Sequence, residues 1–90
     1  MSWTIEIKPT AEKSYHKLTL EMRKRIKQAL MKIEREKDPF SQPGVKSLTG
    51  SLKGDYRLRV GDWRVLFTPD YSNKILHVYA ILPRGSAYKK

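Results

Sequence analysis

Residues 56–67, Tyr-Arg-Leu-Arg-Val-Gly-Asp-Trp-Arg-Val-Leu-Phe, restrict the fold more than any other segment of the chain. Tyr56, Leu58 and Val60 alternate with Arg57 and Arg59, Gly61-Asp62 interrupts, and Trp63, Val65 and Phe67 resume the alternation around Arg64. A period of two broken by a Gly-containing dipeptide predicts two antiparallel strands joined by a two-residue turn. Pairing across that turn sets Val60 opposite Trp63, Arg59 opposite Arg64, Leu58 opposite Val65 and Arg57 opposite Leu66. One face of the hairpin is then apolar, and the other carries Arg57, Arg59 and Arg64 together. Like charges directly opposite each other destabilise a sheet, so this face asks for a use that offsets the cost.

The rest of the chain supplies partners for the apolar face. Trp3, Ile5 and Ile7 alternate with Thr4 and Glu6, a short strand that stops at Pro9. Thr10 is placed to cap a short helix in which Ala11, Tyr15 and Leu18 share a face. Thr19 is a second cap. Leu20, Met22, Ile26, Ala29, Leu30 and Ile33 mark a longer amphipathic helix running to about Lys37, ended by Asp38-Pro39. Residues 38–55, with Pro39, Pro43-Gly44, Gly50 and Gly54, read as a loop pinned by Val45 and Leu48. After the hairpin, a turn over 69–73 leads to a last strand over 74–82, apolar on both faces and therefore expected to be central and covered. The expected fold is α+β, a single domain over 1–90. Its order is an N-terminal strand, a helical hairpin, then a three-stranded antiparallel sheet with the helices on one face. The first strand joins an edge of the sheet.

Charge points to the partners. Lys and Arg total 19 against 9 Asp and Glu, a formal net charge of +10 on 90 residues. Such a balance suits nucleic acid, an acidic protein or an anionic surface. Between residues 46 and 90, nine basic residues face only Asp55, Asp62 and Asp70. Asp55 has the parity to sit beside Arg57, and Asp62 lies in the turn. The remaining charge has no internal counterpart there. Arginine at all three hairpin positions, rather than lysine, suits planar, multidentate phosphate recognition. Arg84 and Tyr88 follow the last strand, and a tyrosine there either serves as a base-stacking platform beside the basic cluster or folds onto the core. The chain has no cysteine, which excludes disulfides, thiolate metal sites and cysteine nucleophiles and suits a cytoplasmic protein. His16 and His77 lack metal-ligand spacing, so neither metal nor cofactor is expected. His77, between Leu76 and Val78, reads as a packed structural residue, and His16 as solvated. No signal peptide is expected from MSWTIEIKPT. The run ILHVYAIL is far short of the roughly 20 residues a membrane span needs.

The hairpin motif, preceded by L-x-G (Leu48 to Gly50) and followed by R-x-x-x-Y (Arg84, Tyr88), resembles the RelE group of the RelE/ParE toxin superfamily over nearly the whole chain. The resemblance implies the toxin of a type II toxin–antitoxin system. Such a toxin is an endoribonuclease that cuts messenger RNA in the ribosomal A site and is held inactive by a RelB-like antitoxin. Its partners would be the ribosome, mRNA and an antitoxin that folds as it binds, in a hetero-oligomeric complex. By the same resemblance, Arg57 and Arg59 match a basic pair that is lysine in relatives where it activates the nucleophile. Arg64 matches the arginine that stabilises the scissile phosphate, Arg84 the one proposed as general acid, and Tyr88 the terminal tyrosine that stacks on or orients the substrate. Lys46, Lys53, Lys89 and Lys90 join Arg57 and Arg59 in the expected RNA-binding set. Pro83 stands where relatives often carry His or Lys.

The implied reaction is attack of a ribose 2′-OH on the adjacent phosphate, releasing a 5′-OH and a cyclic phosphate. It needs a base, charge stabilisation and an acid. Arginine, with a pKa above about 12, is a poor proton acceptor. Arg57 and Arg59 are therefore assigned to orienting the RNA and lowering the effective 2′-OH pKa. The base is left to water, ribosomal RNA or another residue, with His16 and His77 as candidates by chemistry. Two other functions fit parts of the pattern. A ParE-like toxin of the same superfamily binds DNA gyrase without cutting RNA, and a non-catalytic homologue would bind RNA through the same charges.

Overall fold

A computed structural model describes residues 3–85. Five strands form one mixed sheet in the order β1-β5-β4-β3-β2: β1 (Thr4–Ile7), β2 (Val45–Ser47), β3 (Tyr56–Val60), β4 (Trp63–Asp70) and β5 (Ile75–Pro83). Helices α1 (Pro9–His16) and α2 (Leu20–Arg35) connect β1 to the rest. The first strand runs parallel to β5 at one edge, and the other pairings are antiparallel.

Local sequence sets the helix boundaries. Proline at the first position of α1 needs no N–H partner, and the N-cap is Lys8 rather than Thr10, whose hydroxyl instead donates to Tyr79 O at 3.0 Å. Thr19 caps α2 as expected, its Oγ1 accepting from Met22 N at 3.2 Å. Ile26, Leu30 and Ile33 on α2 are buried, with Met22 and Ala29 packed at their margin. Leu20 is exposed, because two residues before Met22 is off the stripe. On α1, Ala11 is buried and Tyr15 packs beside it. These side chains cover Leu58, Val60, Val65, Phe67, Leu76, Val78 and Ile81 on one face of the sheet. Trp63 is half-buried against the same cluster, on the helix side.

The hairpin register is the one the alternation predicts, from Tyr56↔Phe67 through Arg59↔Arg64 to Val60↔Trp63. Two features were not legible. The loop expected over 38–55 contains β2, which pairs Val45 with Leu58 and Lys46 with Arg57, so the sheet has five strands. Three residues between Gly44 and Gly50 are too few to show a period, and tertiary pairing makes them a strand. The anchor role of Val45 holds, since it is buried. The second feature is a bulge: Leu66 pairs with Ala80, but Phe67 pairs with Val78. Tyr79 is the extra residue, and the bulge re-aims it. The last strand is central, but helices cover only one of its faces. On the other, Tyr79, Ala80 and Leu82 stay half-buried.

Candidate functional site

The sheet face away from the helices is the candidate site. Register places Lys46, Arg57, Arg59 and Arg64 on it, in adjacent strands. Arg59 and Arg64 are a direct cross-strand pair. The Arg64 guanidinium folds back on the turn, donating from Nη1 to Gly61 O (3.2 Å) and Trp63 O (3.1 Å). These bonds fix the Arg64 guanidinium beside the turn. Arg57 donates from Nη1 to Gly44 O at 3.1 Å, and Gly44 O also accepts from Arg59 N at 2.9 Å. Gly44 holds this position with φ +88, which only glycine adopts without strain. Among the described residues no carboxylate lies within 4.0 Å of Arg57, Arg59 or Arg64.

Arg84 comes to the same end of the sheet. Its N–H donates to Asp62 O at 2.6 Å, and its Nη1 is 3.9 Å from Asp62 Oδ1 across an exposed, solvent-screened gap. The turn is thereby tied to the end of β5. Gly61 (φ +59) is packed from the other side by Arg25 of α2, whose guanidinium would lie 3.1 Å from a Cβ placed there. Lys53 is exposed just past a 3₁₀ turn over Gly50–Leu52. Tyr88, Lys89 and Lys90 lie outside the described residues.

Asp55 does not pair with Arg57. Its carboxylate accepts from Thr68 Oγ1 (2.8 Å) and from Tyr79 Oη (2.7 Å). The bulge delivers the tyrosine to it, a contact no sequence period could reveal. Burial first, then the hydrogen bond to Asp55, pushes the Tyr79 phenol far above its ordinary range, so it remains a donor. Beside this trio His77 sits on the same open face, not packed into the core as expected. Its Nδ1 lies 2.9 Å from Glu6 Oε1, out of line for a hydrogen bond, and its Nε2 is 3.9 Å from Asp70 Oδ2. Asn73, through its side-chain amide and then its backbone N–H, holds the Asp70 carboxyl below the usual carboxylate range. Lys8, Leu52, Asp55, Thr68, His77 and Tyr79 line an open concavity of about 460 Å³ here. One sheet face is thus cationic at the turn end and acidic at the other. Among the described residues no group of three or more His, Cys, Asp or Glu side chains is placed to hold a metal. None of the described helices is long and apolar enough to cross a membrane.

A second feature lies between α2 and the β1 edge. Ile5, Ile7, Tyr15, Leu30 and Met31, with Lys27 and Glu34, line a largely apolar groove of about 350 Å³. Glu34 reaches across to accept from Ile5 N at 3.0 Å, occupying part of the free strand edge.

No curated protein matches the sequence. The fold is similar to the RelE–RelB complex of the archaeon Pyrococcus horikoshii OT3, at 26% identity and TM-score 0.77, covering 97% of this chain and 100% of that one. It is similar too to the RelBE2 toxin–antitoxin complex of Mycobacterium tuberculosis (22% identity, TM-score 0.68, 93% and 100% covered). A YoeB/ParE toxin from Agrobacterium tumefaciens shares the fold at 17% identity and TM-score 0.75, with 90% and 98% covered. The family model described as the ParE toxin of type II toxin–antitoxin system, parDE, matches residues 5–88, and the chain therefore belongs to the RelE/ParE family of type II toxins.

Proposed function

We propose that this toxin is an endoribonuclease that cleaves mRNA in the ribosomal A site. The observation that carries this reading is the uncovered face on which Arg57, Arg59 and Arg64 stand without carboxylate partners among the described residues. A site for transferring a phosphoryl group needs fixed positive charge where negative charge develops. Arg59 and Arg64 meet that need from adjacent strands, and Arg84 adds a third guanidinium at the same end. Arg57 and Lys46 extend the track for the RNA backbone. No arginine is a competent base, His77 stands at the far end of the face and His16 on α1, so the 2′-OH proton goes to water or to ribosomal RNA. Tyr88 supplies stacking.

The partner that silences it is an antitoxin of the RelB kind. The groove beside β1 suits an amphipathic segment: its walls are apolar, and Ile7 and Met31 are exposed. A chain that is acidic outside this segment would complement the net charge. The alternative activity is binding to gyrase, since the matching family model is that of the ParE toxin. Induction of Arg64→Ala and Arg84→Ala in cells, with growth and transcript ends followed together, tests the ribonuclease. Both variants should stop growth inhibition and new transcript ends while still forming the antitoxin complex. Full toxicity in both variants would remove the arginine face from the mechanism.

A further inference from the structure

We infer that the concavity around Asp55, Thr68, Tyr79 and His77 is a nucleobase subsite that selects guanine in the bound RNA. The inference rests on the reading that RNA lies along the arginine face, and it names what the far end of that face recognises. Arg57 stands two residues from Asp55 on the same strand side. Thr68 stands four residues along β4 from Arg64, about 13 Å at roughly 3.3 Å per residue. An RNA strand held at the arginines and laid along β3 and β4 would bring a nearby nucleotide to the concavity.

The donor and acceptor pattern picks the base. A carboxylate offers about four lone-pair sites and no donor. Thr68 Oγ1 and Tyr79 Oη each fill one, on different oxygens. Each oxygen keeps further acceptor capacity, and the two bonds hold the carboxylate in place. Guanine presents two adjacent donors, N1–H and the 2-amino group, on its Watson–Crick edge. Adenine and cytosine present one amino group next to a ring acceptor that a carboxylate repels. Uracil presents one N–H flanked by two carbonyls. Unpaired bases are read on this edge and stacked on aromatic rings. Here Leu52 supplies an apolar wall, and His77 and Tyr79 supply rings. Lys8 at the rim offsets part of the acidic charge. The raised Tyr79 phenol keeps its proton, so the orienting bond survives at neutral pH.

The test is fluorescence anisotropy of the full chain with labelled five-nucleotide single-stranded RNAs that differ at one position. That position carries guanosine, 7-deazaguanosine, inosine, adenosine or uridine. Inosine lacks only the 2-amino group, and 7-deazaguanosine keeps the Watson–Crick edge intact. Guanosine and 7-deazaguanosine should bind equally, and inosine, adenosine and uridine about tenfold more weakly, within the range of a lost bidentate contact. Asp55→Asn should level the series, as should Leu52→Trp, which fills the concavity while keeping the carboxylate. The analogue series on the unaltered protein needs no variant, so a folding defect in either one leaves the test standing. Equal binding of guanosine, inosine and uridine overturns the subsite alone. Guanine-selective binding by a protein that leaves ribosome-bound transcripts whole supports the subsite and overturns the ribonuclease reading instead.

Discussion

Arg59→Thr should make the protein more stable and less able to bind RNA. Arg59 and Arg64 face each other directly across β3 and β4. Two unit charges about 5 Å apart in a water-like dielectric repel by about 0.8 kcal/mol. The Arg64 guanidinium is bonded to Gly61 O and Trp63 O, and solvent screening at this exposed face brings the cost to about 0.5 kcal/mol, within the range for cross-strand pairs. Arg59 is exposed, so threonine there loses little packing. Its backbone bond to Gly44 O is independent of the side chain. Relief of about 0.5 kcal/mol raises Tm by about 2–4 °C in a domain of this size. Circular dichroism melts at low and high salt provide the check. Added salt screens the repulsion, so the unaltered protein should gain stability with salt and Arg59→Thr should gain less. In parallel, the log–log salt slope of RNA binding should fall by about 0.7 for one lost phosphate contact to single-stranded RNA. Lys24→Ala on the helix face should leave binding nearly unchanged. A lower Tm for Arg59→Thr, or an identical salt response, would refute the claim that the face carries uncompensated repulsion.

Other outcomes follow from single contacts. Arg64→Ala should slow transcript cleavage by about 10²–10³-fold in single-turnover assays, the usual cost of one lost transition-state donor. Gly61→Ala forces a side chain into the left-handed region and against Arg25, and should cost about 1–2 kcal/mol in denaturant melts, with Gly61→Asn costing less. Met31→Lys should weaken the antitoxin complex in a pull-down while leaving RNA binding intact, since Met31 lines the apolar groove and not the sheet face. Tyr79 has a raised folded pKa, so its contribution to stability is complete below the unfolded value of about 10 and is lost as pH rises beyond it. Melts from neutral to strongly alkaline pH should show a loss that Tyr79→Phe reduces.

The hairpin, the two helices and the arginine face were readable because each follows a short period: two for Leu58, Val60, Val65 and Phe67, and near 3.6 for Ile26, Leu30 and Ile33. The parity of Arg57, Arg59 and Arg64 then followed without further information. Contacts that depend on a break in period were not readable. Tyr79 reaches Asp55 only because the bulge at Leu66/Phe67 shifts the register. Without that shift, the parity of Asp55 suggested Arg57 as its partner. His77 looked like a core residue because Leu76 and Val78 beside it are core. In a strand with helices on one side, every second residue faces away from them. The strand β2 is held by its pairing to β3, a long-range contact that three residues cannot announce.

The most direct measurement maps transcript ends on ribosomes programmed with a defined mRNA and incubated with the purified protein, with a gyrase supercoiling assay run alongside. New 5′ ends should appear within the A-site codon and be absent with Arg64→Ala, and gyrase activity should stay undisturbed. Intact transcripts together with inhibited supercoiling would contradict the ribonuclease reading.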